Sequence, residues 1–131
     1  MSHILLDTHI VLHWVVGSRQ LTANQAKAIE TASRRGEPIG LSAISLLEIA
    51  ILMDLGRIRI QGPLDKFLQS LEVEPYRVFP ISADIAVEAG GFRVLKDPTD
   101  RTIAATARVH GLRLVTSDQR ILDSNLVSTI E

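Results

Sequence analysis

Four acidic residues from distant parts of the chain occupy comparable positions, either just after a short apolar run or near the start of a helical pattern. Asp7 and Asp118 come just after short apolar runs, and Glu48 and Asp100 lie near the start of helical patterns. Ligands of open parallel α/β sheets bind beyond the carboxyl ends of the strands. We therefore expect these four carboxyl groups to converge on one crevice.

A cluster of carboxylates favours a bound cation. Each negative charge disfavours ionisation of the next, so the group needs either raised pKa values or a cation. The chain has no cysteine, and oxygen ligands favour Mg²⁺ or Mn²⁺ over zinc. With two such ions, the carboxylates could help to activate water and to neutralise the leaving oxygen in phosphodiester cleavage.

Each acid also has a structural interpretation, and the sequence leaves these alternatives open. Asp7 can be the N-cap of the following helix, and Asp118 can be a turn residue. Glu48 fits the last position of a capping box. Asp97 and Asp100 share the start of one helix, and we assign Asp97 mainly to capping and Asp100 to the crevice.

The elements that position these acids alternate along the chain. Short apolar runs that suit covered parallel strands alternate with segments of helical period, as in an α/β layer architecture. Strands are predicted at residues 4–6, 38–41, 78–81, 112–115 and 126–130. Pro80 favours an edge position for the third strand. Residues 57–71 are predicted to form a small, mostly helical excursion from this layered pattern.

Composition excludes several classes of protein. The 131 residues carry 14 Lys and Arg against 15 Asp and Glu, a formal net charge of -1. This balance argues against a nucleic-acid binder with a broad basic face. The longest apolar run, Ile49–Met53, is far shorter than the roughly 20 residues that span a bilayer. We expect one cytoplasmic domain over residues 1–131, with no membrane partner.

Four segments of the sequence resemble, in order, the motifs of the PIN domain (PilT N-terminus) family. They are residues 5–9, 42–48, 97–107 and 114–118, which read LLDTH, SAISLLE, DPTDRTIAATA and LVTSD. The likeness is closest to toxins of the VapBC type and covers essentially the whole chain. It implies a three-layer α/β/α domain with a mainly parallel central sheet, and many members of the family are Mg²⁺- or Mn²⁺-dependent ribonucleases.

The resemblance carries the family's acidic positions onto Asp7, Glu48, Asp100 and Asp118. It implies an endoribonuclease that hydrolyses RNA phosphodiesters with metal-activated water. Asp7 and Asp100 are the expected direct metal ligands, and Glu48 and Asp118 are expected to bind directly or through water.

Further residues are expected to support this site. Ser42, Ser45 and Thr116 can hydrogen-bond to the ligands, although helix capping explains either serine equally well. Asp97 either supports catalysis or caps its helix. Eleven of the 14 basic residues are arginine, whose planar fork suits phosphate, and Arg101 is the arginine expected to contact RNA.

The resemblance also implies partners. Toxins of the VapBC type usually form homodimers and are inhibited by a cognate antitoxin, so both are expected here. Two alternatives remain: a catalytically silent PIN-like module that binds RNA or protein, and a phosphoacceptor domain resembling a receiver. The receiver pattern needs an acidic pair after the first strand, whereas Asp7 is followed by Thr8 and His9.

Overall fold

A five-stranded parallel sheet forms the centre of the molecule. The computed structural model describes residues 3–17 and 19–131. Every strand pair that it describes is parallel, in the order β3-β2-β1-β4-β5. The strands are β1 (Ile4–Leu6), β2 (Ile39–Ser42), β3 (Tyr76–Phe79), β4 (Arg113–Val115) and β5 (Thr129–Ile130). The predicted α/β fold with a mainly parallel sheet is confirmed.

Helices connect the strands and cover the sheet. They are α1 (Thr8–Val16), α2 (Ala23–Arg34), α3 (Ala43–Asp54), α4 (Leu64–Ser70), α5 (Ala83–Gly91), α6 (Pro98–His110) and α7 (Gln119–Ser124). Within residues 3–17 and 19–131, no helix is both long enough and apolar enough to cross a bilayer.

The core is divided into two layers by the sheet. Ile4 and Leu6 pack with residues of α1, α2, α3 and α4, whereas Leu5 packs with residues of α5, α6 and α7. Successive strand residues point to opposite faces, and all three side chains of β1 are buried. This burial explains why β1 is apolar at every position, and it gives the three-layer arrangement that the family resemblance implies.

Local sequence signals explain where several helices begin. Thr22 and Gln25 form a capping box at the start of α2, and Ser82 caps α5. Asp97 caps α6 and is followed by Pro98, whose fixed φ suits the first turn of a helix. At the other end of α6, Gly111 adopts φ 64°, a left-handed conformation that favours glycine.

The structure corrects several predicted details. Ser42 caps α3, so Ser45 lies inside that helix and the capping box that would include Glu48 does not form. The strand β3 lies at a sheet edge, as predicted, but it spans Tyr76–Phe79 and ends before Pro80. The strand β5 is shorter than predicted, and α7 occupies a segment for which no helix or strand was predicted.

Candidate active site

The four predicted acids line one cavity beyond the carboxyl edge of the sheet. Asp7 follows β1 directly, Asp118 is the third residue after β4, and Glu48 and Asp100 lie in α3 and α6. The cavity has a volume of about 370 Å³, and Asp97 also lines it. The parallel topology therefore brings together carboxylates that are far apart in sequence, at the place where open α/β sheets bind ligands.

Asp7 is fixed through both of its carboxylate oxygens. Oδ1 accepts a hydrogen bond of 2.8 Å from the backbone N–H of Thr8, and Oδ2 accepts one of 2.7 Å from the hydroxyl of Thr116. The residue is only 4% exposed. Asp7 thus caps α1 and also lies in the cavity, so its structural and functional interpretations are compatible.

Thr116 connects the first acid to the fourth. Its hydroxyl donates to Asp7 and accepts a 3.0 Å hydrogen bond from the backbone N–H of Asp118. The backbone N–H of Asp7 also donates to the carbonyl of Val115. Thr116 is completely buried, so this hydroxyl holds the ends of β1 and β4 in a fixed relation, which suits the supporting role predicted for it.

The two serines have different environments. The Ser42 hydroxyl accepts a hydrogen bond from the N–H of Ile44, which is a capping contact. The Ser45 hydroxyl lies 2.8 Å from that of Thr8, which donates to it. Ser45 therefore links α3, the helix that carries Glu48, to the start of α1 beside Asp7.

Two of the acids have raised pKa values. Burial raises the pKa of Glu48, a hydrogen bond with Thr8 opposes this shift, and the negative charge of Asp7 adds to it. For Asp100, burial and the nearby charges of Asp118 and Asp97 raise the pKa to about 6. Asp97 itself accepts a 2.8 Å hydrogen bond from the N–H of Thr99, so the structure gives it a capping contact.

An arginine that sequence reasoning missed lies on this cluster. Nη2 of Arg120 lies 3.0 Å from Oδ2 of Asp118 and 3.3 Å from Oδ2 of Asp100. Burial alone would raise the pKa of Asp118, but hydrogen bonds and charge from Arg120 hold it below its usual value. Asp118 also caps α7 by accepting from the Arg120 backbone N–H. Recognising Asp118 as an N-cap would have placed Arg120 beside it.

Arg101 occupies a different environment. Its Nε–H donates to the backbone carbonyl of Leu95, a contact that supports the loop before α6. The arginine that the structure brings to the carboxylates is Arg120, although Arg101 is the one expected from sequence to contact RNA.

Two histidines lie at the cavity wall. Nε2 of His9 accepts a 3.1 Å hydrogen bond from the N–H of Ser117, and Nδ1 lies 3.5 Å from Oδ2 of Asp7. The ring of His13 lies edge-on to that of His9, and burial together with the charge of His9 lowers the pKa of His13. His9 thus ties α1 to the loop that carries Asp118.

The donor atoms of this cavity fit a divalent cation by their chemistry. They are carboxylate oxygens, which Mg²⁺ and Mn²⁺ prefer. Burial is the main cause of the raised pKa values of Glu48 and Asp100, and neighbouring negative charges add to both shifts. In the arrangement seen across residues 3–17 and 19–131, no group of three His, Asp or Glu side chains is placed to hold one ion. Arg120 supplies positive charge there instead.

The fold and the cavity together define a class of proteins, the α/β domains with a parallel sheet and an acidic cavity beyond the strand ends. Within this class, the sequence profile of the PIN domain family matches residues 4–124. The chain therefore belongs to the PIN domain family, as its motifs predicted.

Similar proteins extend over nearly the whole chain. Ribonuclease VapC22 of Mycobacterium tuberculosis is 36% identical over 123 residues, which cover 92% of this chain and 91% of the relative. A structure of FitAcB from Neisseria gonorrhoeae superposes with a TM-score of 0.69 at 21% identity, covering 98% of this chain and 96% of the other. A toxin-antitoxin complex from Klebsiella pneumoniae gives a TM-score of 0.63 at 23% identity, with coverages of 88% and 87%.

Replacing Thr116 by valine tests the buried hydroxyl. Thr116→Val keeps the side-chain shape but leaves Asp7 without its hydroxyl donor and the N–H of Asp118 without its acceptor. We expect the free energy of unfolding to fall by about 1–3 kcal/mol, the cost of leaving buried polar groups unsatisfied. Urea denaturation measures this change. Thr102→Val is the control, because that hydroxyl bonds to the Pro98 carbonyl at an exposed position. Equal decreases in the free energy of unfolding of Thr116→Val and Thr102→Val would contradict the supporting role assigned to the Thr116 hydroxyl.

The raised pKa of Asp100 predicts how stability depends on pH without divalent cations. The folded carboxyl holds its proton up to about pH 6, against an ordinary value of 3.8. Because the folded state binds this proton more tightly, the free energy of unfolding should fall as pH rises across that interval.

Asp100→Asn removes this dependence. At pH 7 with EDTA, we expect it to be more stable than the wild type by about 1–2 kcal/mol, since one pKa unit corresponds to about 1.4 kcal/mol. Urea denaturation between pH 4 and 8 checks the prediction. The control is Asp123→Asn, which changes an exposed carboxylate that accepts from Gln119. If the free energy of unfolding varied with pH in the same way for Asp100→Asn and the wild type, the prediction would be wrong.

Proposed function

We propose that this protein is an endoribonuclease that uses Mg²⁺ or Mn²⁺ and acts in the cytoplasm as the toxin of a VapBC-type toxin-antitoxin pair. The observation that carries the proposal is the convergence of Asp7, Glu48, Asp100 and Asp118 on one cavity of a PIN domain. The 36% identity to a protein named as a ribonuclease supports RNA as the substrate.

The proposed metal-binding roles of the carboxylates differ with their burial. Asp7 and Asp100 would hold the cation directly, because both are nearly buried and both face the cavity. Glu48 and Asp118 are more exposed and would bind directly or through water, since Mg²⁺ usually keeps several waters. When bound, the cation would activate the attacking water and offset negative charge at the phosphodiester.

Neighbouring residues would orient these carboxylates for metal binding. Thr116 and the N–H of Thr8 orient the two oxygens of Asp7, and partners that orient a ligand raise metal affinity. Ser45 would steady Glu48 through its contact with Thr8. Asp97 would add negative charge while it caps α6. The proposed reaction needs no protein nucleophile.

The proposed partners are a cognate antitoxin and a second copy of the chain. Leu47 and Ile51 are exposed on α3, and Leu55, the C-cap residue of that helix, is exposed as well. Their spacing of four residues places the three side chains on one face. Large apolar side chains grouped on a surface favour a protein partner. The resemblance to VapBC toxins and the likeness to a toxin-antitoxin complex support the antitoxin and the homodimer as proposals. Light scattering of the purified protein tests the homodimer.

Loss of either proposed direct ligand should abolish cleavage. We expect Asp7→Asn and Asp100→Asn to lower the rate more than about 100-fold, because losing a group that only orients a ligand already costs about 10–100-fold. The assay incubates purified protein with total cellular RNA and Mg²⁺ or Mn²⁺ and sizes the products. EDTA should stop cleavage by the wild type.

The exposed variant Asp123→Asn should cleave as the wild type does. Undiminished cleavage by both cavity variants would contradict the proposed catalytic site. Intact RNA with every protein, combined with specific RNA binding, would favour the catalytically silent module.

A further inference from the structure

One guanidinium group, which itself lines the cavity, connects two of the carboxylates. Nε and Nη2 of Arg120 donate to the two oxygens of Asp118 at 3.3 and 3.0 Å. The same Nη2 lies 3.3 Å from Oδ2 of Asp100. Because Asp118 caps α7 and Asp100 lies in the first turn of α6, this single side chain bridges two separate elements.

The arginine lies on the solvent side of its partners. The side chain of Arg120 is 71% exposed, whereas those of Asp100 and Asp118 are 12% and 17% exposed. A side chain so exposed can rotate away from the carboxylates without leaving a cavity in the core. Exposed ion pairs are also weak, because water screens them and ordering the side chain costs entropy. The bridge is therefore a contact that a stronger cation can replace.

The contacts of Arg120 use oxygens that the proposed divalent cation would need. Both oxygens of Asp118 and one oxygen of Asp100 face the guanidinium. Simultaneous binding of a guanidinium and a divalent cation to these oxygens is energetically unfavourable, because the two positive charges repel and each needs the same lone pairs. With Arg120 in place, the described side chains include no group of three arranged for one ion.

We propose that Arg120 is an internal counter-cation that neutralises the acidic cluster in the metal-free protein and is displaced when a divalent cation binds. The inference rests on the proposed metal-dependent function. It assigns Arg120 a positioning role: the guanidinium keeps Asp100 and Asp118 close together while no metal is bound, and it lowers the apparent affinity for metal by competing with it.

The first test measures metal affinity without RNA. Isothermal titration calorimetry with Mg²⁺ or Mn²⁺ should show that Arg120→Gln binds the ion roughly three- to tenfold more tightly than wild type, the modest effect expected from removing exposed ion pairs. Arg108→Gln is the matched control, since it removes a guanidinium that lies near Glu88 at the other end of α6. Its affinity should equal that of the wild type. Unchanged or weaker binding by Arg120→Gln would overturn the inference.

The second test observes the arginine itself. In ¹H–¹⁵N NMR spectra of the wild type, the Nε–H signal of Arg120 should shift as Mg²⁺ is added, because its hydrogen bond to Asp118 is lost. The signal of Arg108 should stay in place. An Arg120 signal that does not move while calorimetry shows binding would mean that the guanidinium remains on the carboxylates, and the inference would be wrong.

These tests separate the inference from the proposed function. If the wild type binds Mg²⁺ and cleaves RNA but Arg120→Gln shows unchanged affinity, only the role of Arg120 fails. If neither the wild type nor Arg120→Gln binds Mg²⁺ or Mn²⁺, the metal-dependent function fails and the inference fails with it.

Discussion

Electrostatic repulsion among converging carboxylates determines how the candidate site must be built. The parallel sheet brings Asp7 and Asp118 to the ends of neighbouring strands, and α3 and α6 add Glu48 and Asp100. Such crowding is unfavourable without compensation. Burial is the main cause of the raised pKa values of Glu48 and Asp100, and the charges of neighbouring carboxylates raise them further. A stable fold must therefore offset this charge, and a functional site can use it to attract a cation.

The offset comes from a small set of hydrogen bonds and one arginine. Asp7 accepts from Thr8 and from the buried hydroxyl of Thr116, and Arg120 holds the pKa of Asp118 down. Carboxylates that accept several hydrogen bonds tolerate burial in the charged form. The same contacts fix the direction in which each acid points. Stability and the proposed activity therefore depend on the same groups, because the side chains that offset the negative charge of the acidic cluster also orient its carboxylates.

The sequence predicted the convergence of the acids from the parallel topology and from the positions of Glu48 and Asp100 near the start of their helices. Apolar runs such as Ile4–Leu6 identify covered parallel strands, and residues that follow such strands share one edge of the sheet. Membership in the PIN domain family followed from motifs and is confirmed. The catalytic and metal-binding roles of Asp7, Glu48, Asp100 and Asp118 stay predictions, now supported by their common cavity.

Details that depend on tertiary contacts could not be predicted. The pattern from Ser45 to Glu48 matches a capping box, but Ser42 caps α3 and the Ser45 hydroxyl bonds to Thr8 from a distant segment. A local sequence pattern cannot predict this hydrogen bond, because Thr8 and Ser45 are far apart in the sequence. Arg120 was missed because no helix was predicted after Asp118, and α7 is too short to show a clear helical period.

The proposed function requires that the acidic cavity bind the divalent cation used to cut RNA. The most direct test is a crystal structure of the protein soaked in Mn²⁺, with anomalous diffraction used to locate the metal. We predict an anomalous peak in contact with carboxylate oxygens of Asp7 and Asp100, with the guanidinium of Arg120 moved away from Asp100. A cavity without a peak at saturating Mn²⁺, with Arg120 still bridging Asp100 and Asp118, would contradict it.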